Sequence, residues 1–318
     1  MRALLIVNPN ATSTTPAARD LLAHALESRV QLTVAHTEHR GHAAELAASA
    51  AADGMDLVVV HGGDGTVNEA INGFLPPPTL GAPDPAPTTW TPRIAVLPGG
   101  SANVFARSLG IAHDPVDATN QLIDLLSSHS SRTIGLGYAD ERWFTFNAGM
   151  GFDADVCESI DSSRKDGHAA TPMRYVAAAI RNFFKKKRDE PTLTVTVPGA
   201  PPVDNVHYSF ISNASPWTYF NAHPVHTNPH TDYDSGLGVF AMQTTSLFTT
   251  LRISGQLLRP GAEPKGRKLF RTDDVPSVRI HASAPIGLQM DGDYIGQRDD
   301  VEFHSIPRAL DVVAPPTS

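Results

Sequence analysis

The chain has 318 residues, 41% of them hydrophobic and 18% charged, with a formal net charge of −8. This composition excludes collagen-like, disordered and disulfide-dense classes, predicts two domains each with its own core, and leaves no basic footprint for general nucleic-acid binding. The single cysteine, Cys157, cannot form an internal bridge, the opening MRALLIVNPN lacks a signal-peptide layout, and no apolar run is long enough to cross a bilayer. A cytoplasmic protein is therefore expected, one that would meet any lipid from the membrane surface.

In chain order, residues 3–7 form a short apolar run ending in NPN, followed by a helical stretch over 16–28. A second strand is predicted at 31–35, leading through TEHR into an alanine-rich helix at 41–52. A third, at 57–60, runs into HGGDGTVNEAING. The proline-rich residues 76–92 read as an exposed excursion. A fourth strand at 93–97 precedes PGGSANVFARSLG, with a helix over 102–109 stopped by Gly110, and a further helix spans 116–128. Buried runs alternating with helices predict βαβ units and a parallel sheet whose ligands sit at the carboxyl ends of the strands.

Beyond that point alternating segments dominate, at 192–197, 206–211, 278–282 and 286–290. The expected fold class is α/β: an N-terminal doubly wound nucleotide-binding domain over residues 1–134, then a β-rich, antiparallel, sandwich-like domain over 135–305. Residues 306–318 are a candidate for one more strand that returns to the first domain.

The chemistry centres on GGDGTVNEA at 62–70, between a strand and a helix. Gly62, Gly63 and Gly65 allow close backbone approach to a polyphosphate, the helix start offers N–H groups to anionic oxygens, and Asp64 can meet the accompanying metal. By itself such a turn is equally well a plain strand-to-helix connection. Its companions at other strand ends are NPN at 8–10, TEHRGHA at 37–43 and PGGSANVFARSLG at 98–110, with FNAGMGFDADV at 146–156 and QMDGD at 289–293 further on. With these motifs the chain resembles the diacylglycerol kinase catalytic family, which includes sphingosine kinases and bacterial lipid kinases.

That resemblance implies ATP and magnesium as cofactors and a lipid hydroxyl as acceptor, with a diacylglycerol-like lipid leading. The implied nucleotide residues are Asn8, Pro9, Asn10, Ala11, Thr12, Thr37, Gly63, Asp64, Gly65, Thr66, Val67, Asn68, Glu69 and Ser101. Asp64 would also hold the metal. For Thr37 and Ser101 an ordinary turn or cap hydroxyl is the competing reading. The family's Asp-Gly-Glu base corresponds to Asp291, Gly292 and Asp293, which makes Asp293 the expected base, one methylene shorter, with Asp291 and Asp64 as alternates. A hairpin turn is the plain alternative for this segment. Val104 stands where many relatives carry an aspartate. Asp234, Ser235 and Gly236 replace an Asp-Asp-Gly that binds a structural magnesium, so that second metal is not expected.

Residues 173–188 read as a helix ending in Lys185, Lys186, Lys187 and Arg188, equally a solvated helix end or a contact for an anionic membrane surface. The histidines, including His223, His226 and His230, lack metal-ligand spacing. The expected partners are thus a lipid substrate and a membrane surface but no nucleic acid, with a homodimer admitted. Rival readings are an NAD kinase-like enzyme, which shares the GGDG loop, and a nucleotide-binding regulator without catalysis.

Overall fold

The protein is described by a computed structural model over residues 1–11, 16–151, 193–220, 223–259, 261 and 263–316. Thr12, Cys157 and the basic segment at 173–188 lie outside the described residues. The chain forms two units, Met1–Leu136 with Pro307–Ser318, and Gly137–Ile306.

In the first unit, β1 (Arg2–Val7), α1 (Pro16–Glu27), β2 (Gln31–His36), α2 (His42–Ala52), β3 (Leu57–Gly62), α3 (Asp64–Phe74), β4 (Arg93–Pro98), α4 (Val104–Ser108) and α5 (Pro115–Ser127) follow one another. The strands run parallel in the order β2-β1-β3-β4, and near the C-terminus Val312 pairs in parallel with Ile94 of β4. The continuous apolar runs explain the order: ALLIV, LVVVHG and IAVLP are buried throughout, as central parallel strands must be, whereas β2 is largely exposed at the edge. Each fully buried Leu, Ile or Val contributes roughly 1.5–3 kcal/mol relative to exposure.

Helix α2 packs on α3, and α1 on α5. The alanines of α2 and Gly73 of α3 make that first contact close: a Cβ at Gly73 would collide with the Ala44 carbonyl. Helix α5 starts where its sequence dictates, with Pro115 in the first turn and the Asp114 carboxylate accepting from the Val116 and Asp117 N–H groups. The proline-rich residues 76–92 form neither helix nor strand.

The chain enters the second unit within β5 (Arg132–Ala139) and continues through β6 (Arg142–Phe144), β7 (Asn147–Met150), β8 (Leu193–Thr196), β9 (Val203–Val206), β10 (Tyr208–Ser212), β11 (Thr218–Phe220), β12 (His223–Val225) and β13 (Leu237–Met242). Helix α6 (Leu247–Leu257), β14 (Leu269–Val275), β15 (Ser277–Met290) and β16 (Asp293–Val312) complete it, and β16 carries the chain back. Strands β14, β13, β10, β7, β15 and β16 are neighbours in that order, and these pairings are antiparallel.

Three expected strands differ from observation. Residues 206–211 belong to two strands, because β9 pairs with β8 while β10 pairs with β7 and β13, with His207 between them donating to the Met242 carbonyl at 2.8 Å. Residues 278–282 and 286–290 form one strand, β15, whose register shifts between His281 and Ile286; β8 pairs with its first part and β7 with its last. The core of the unit gathers Phe144, Val278, Ile280, Leu288, Met290 and Phe303, and a second cluster of Tyr208, Phe210, Phe240 and Met242 receives Ile253 of α6.

Candidate functional site

In the first unit, three loops leaving the carboxyl ends of β1, β3 and β4 meet. Asn8 is their clasp: its N–H donates to the His61 carbonyl at 3.0 Å, its Oδ1 accepts the Asn10 N–H at 2.9 Å, and its Nδ2 donates to Thr66 Oγ1 at 3.0 Å. Gly99 donates to the Gly62 carbonyl at 2.9 Å. The two glycine pairs are pressed together, since a Cβ on Gly100 would lie 2.7 Å from Gly63 Cα and one on Gly99 would lie 3.0 Å from both Gly62 Cα and Ala11 Cβ. Only glycines permit that approach.

Gly63 is the N-cap of α3 and brings no side chain to cap it. The first turn of α3 thereby presents backbone N–H groups without a side-chain cap, at the strand ends where α/β proteins hold ligands. Asp64 links two of these loops. Its Oδ2 accepts the Val104 N–H and its Oδ1 the Phe105 N–H, each at 3.0 Å, so it caps α4 across the loops. The cap of α4 itself, Asn103, adopts a left-handed conformation with φ 48° and closes its own loop with two hydrogen bonds to Gly100. The position of Val104, where many relatives carry an acid, contributes a backbone donor to Asp64.

Of the other expected nucleotide residues, Pro9, Asn10 and Ser101 are exposed, while Asn8, Ala11, Thr37, Gly63, Gly65, Thr66 and Glu69 are half-buried. Thr37 continues the ladder by donating to the Val7 carbonyl at 2.9 Å. Val67 and Asn68 are buried, so their side chains support α3 from within. Sequence reasoning passed over His61, buried at the end of β3 with Nδ1 3.2 Å from the Leu97 carbonyl; burial lowers its pKa, which favours a neutral ring beside the glycine loop. His39, His42 and Glu45 bring potential metal-ligand atoms within 4.8 Å of one another, but the Nδ1 lone pair of His42 accepts the Glu38 N–H at 3.0 Å.

In the second unit, two tight hairpins deliver opposite charges. The β5–β6 turn uses Asp140 and Glu141, and the β15–β16 turn uses Asp291 and Gly292, all four with positive φ, as type I′ turns require. Each turn is followed at once by a charged residue, Arg142 and Asp293, and these pair at 3.7 Å. Arg298 fixes the first turn through bonds to both Asp140 oxygens at 3.0 and 2.7 Å. Arg142 was not anticipated; the signal was its position after two turn-prone acidic residues.

The two aspartates of DGD separate cleanly. Asp291 is buried, and its carboxylate accepts from Thr145 N–H at 2.7 Å, Thr145 Oγ1 at 2.8 Å, Phe146 N–H at 3.0 Å and Asn147 N–H at 3.2 Å. Burial pushes its pKa up, and those four donors pull the other way. Asp293 retains 14% side-chain exposure beside the Arg142 guanidinium. The motifs FNAG and QMDGD also explain each other: Gln289 Nε2 donates to Asn147 Oδ1 at 3.0 Å, and Gln289 Oε1 accepts the Gly292 N–H at 2.9 Å.

Apposed glycine loops and an uncapped helix start thus stand together at the ends of a parallel sheet, the region where α/β proteins hold ligands. Residues 2–136, within the first unit, match the family described as diacylglycerol kinase catalytic domain. The chain is 30% identical over 168 residues to a diacylglycerol kinase of Bacillus subtilis (strain 168), a match covering 52% of this chain and 50% of that one, so it spans about half the length of that relative. It is 24% identical over 279 residues to a diacylglycerol kinase of Staphylococcus aureus (strain JH9), covering 88% of this chain and 81% of that one. A crystal structure of a diacylglycerol kinase from Bacillus anthracis str. Sterne shares the fold with a TM-score of 0.71 at 19% identity, covering 99% of this chain and 97% of that one.

Proposed function

We propose that the protein is an ATP-dependent lipid kinase that transfers the γ-phosphoryl group to a lipid hydroxyl, with a diacylglycerol-like alcohol as acceptor. The observation that carries this reading is the contact of Gly62 and Gly63 with Gly99 and Gly100 beneath an uncapped α3, which leaves backbone at the sheet's end where side chains would otherwise stand. The relatives of this family direct the choice of acceptor.

In this reading the loops bind the phosphates through backbone N–H groups, with the Thr66 hydroxyl available from α3 and Asn8 holding that hydroxyl in place. Magnesium, when bound, neutralises charge on the transferring phosphoryl group. Each Asp64 oxygen accepts one α4 N–H, which fixes the GGDG loop against the PGGSAN loop; a carboxylate oxygen offers more than one lone pair, so with these bonds in place Asp64 could still hold magnesium. Asp293 is the candidate base. It would take the hydroxyl proton as the acceptor oxygen bonds to phosphorus and the bridge oxygen leaves with ADP. Arg142, 3.7 Å from Asp293, would orient that carboxylate.

Incubation with γ-labelled ATP, magnesium and a total lipid extract, with products identified by mass, tests the reading. Label in a lipid phosphate is expected. Label appearing in NADP from added NAD would favour the rival kinase, and nucleotide binding without transfer to any lipid would favour the regulator.

A further inference from the structure

Helix α6 of the second unit carries more apolar surface than its core uses. Its inner face is accounted for, since Ile253 is buried among Tyr208, Phe210, Phe240 and Met242, with Leu257 packed beside it. On the opposite face Phe248 is 79% exposed, Leu251 62%, and Leu258, the C-cap, 50%. The spacing of three and seven residues places these side chains on one stripe, with Gly255 between them. A phenylalanine and two leucines on one exposed stripe mark a contact surface.

The charge around the stripe identifies the partner. Residues 247–271 contain six cationic side chains, Arg252, Arg259, Lys265, Arg267, Lys268 and Arg271, and one anionic side chain, Glu263, in a chain of net charge −8. Glu263 is engaged by Lys265 at 2.8 Å, His230 at 3.0 Å and Arg271 at 3.8 Å, which holds its pKa down at about 2. Arg252, Arg259, Arg267 and Lys268 are exposed, and none of them forms an ion pair among the described residues. Arg252 and Arg259 lie at helical spacing beside Phe248 and Gly255, so the cations border the apolar stripe.

We propose that α6 and the basic segment after it dock the protein on an anionic bilayer, with Phe248, Leu251 and Leu258 entering the headgroup boundary and Arg252, Arg259, Arg267 and Lys268 facing lipid phosphates. An apolar stripe flanked by cations is the form of an interfacial helix, and each cation near such a surface adds attraction that salt weakens. The choice of a bilayer as occupant rests on the lipid-kinase reading. All of these docking residues fall within 247–271, and the lysine cluster at 185–187 lies outside the described residues.

The test is sedimentation of the full chain with vesicles of phosphatidylcholine alone or mixed with phosphatidylglycerol, without nucleotide or acceptor lipid. The parent is expected to bind the anionic vesicles at least about tenfold more tightly than the neutral ones. Phe248→Ser with Leu251→Ser is expected to weaken that binding about tenfold. Arg252→Gln with Arg259→Gln is expected to weaken it about tenfold or more at low salt, and less at high salt. Both double variants should retain parental turnover on detergent-dispersed short-chain lipid, which shows that they fold. Parental vesicle binding by both variants would overturn the proposal. So would a change from dimer to monomer with unchanged vesicle binding, which would assign the face to a second copy of the chain. If vesicle binding falls as expected while no lipid is phosphorylated, the docking surface stands and the kinase reading fails.

Discussion

The GGDG loop of the first unit and the DGD hairpin of the second use aspartate in the same structural way and leave different chemistry exposed. Asp64 accepts two backbone N–H groups at the start of α4, and Asp291 accepts three N–H groups and a hydroxyl from residues 145–147. Each carboxylate ties two sequence motifs together. What remains accessible differs: bare backbone at the helix start in the first unit, and the Asp293 carboxylate beside Arg142 in the second. The comparison teaches that an aspartate within a motif is not by that fact the reactive one; its donors decide.

The largest effect should come from the accessible carboxylate. Asp293→Asn is expected to lower turnover by roughly 10²–10⁴-fold with ATP affinity nearly unchanged, because a base acts in the chemical step. Steady-state lipid phosphorylation together with ATP-binding calorimetry reads this directly, and Asp293→Glu, which restores the family's longer side chain, should retain activity. Next comes the glycine contact. Gly100→Ala places a Cβ 2.7 Å from Gly63 Cα, where only backbone can yield, so about 1–3 kcal/mol of stability and most of the ATP affinity should be lost. Unaltered melting and ATP binding would show that the loops are less tightly apposed than described.

Asp64→Ala sharpens the comparison further. Loss of the α4 cap should cost about 0.5–2 kcal/mol in denaturant titration and weaken ATP saturation. Abolished activity with unchanged stability would instead make Asp64 a direct metal ligand. The smallest effect is expected at Arg142→Gln. The pair with Asp293 is partly exposed and 3.7 Å long, so about 0.2–1 kcal/mol is at stake and turnover should fall less than tenfold. A larger fall would place Arg142 on the phosphoryl group itself.

The elements of the first unit were legible because fully apolar runs such as LVVV have one stable environment, a covered parallel sheet, and because Gly, Pro and Asp mark the ends of its helices. The strands of the second unit were legible as alternating segments, but not their breaks. Nothing in the alternation of residues 206–211 reveals that β9 and β10 find different partners, nor that a register shift lets β15 continue through residues 282–286. At the candidate site, glycine spacing gave the loops, whereas the assignments of Asp64 and Asp291 depend on donors distant in sequence, 40 and 41 residues away for Asp64 and 144 to 146 for Asp291. The inward placement of the Val67 and Asn68 side chains was not legible because a motif is read as a line, while the 3.6-residue turn of a helix carries positions such as 67, 68, 71 and 74 to one buried face.

The most direct test of this division of roles is to measure thermal stability and lipid phosphorylation on matched preparations of Asp291→Asn and Asp293→Asn. An amide at position 291 would set its NH₂ group against N–H donors and remove the charge that four donors serve, so a loss of at least about 3 kcal/mol of stability is expected there. At position 293 stability should stay near that of the parent while turnover collapses. A stable, inactive Asp291→Asn beside an active Asp293→Asn would contradict the account and move the base to Asp291.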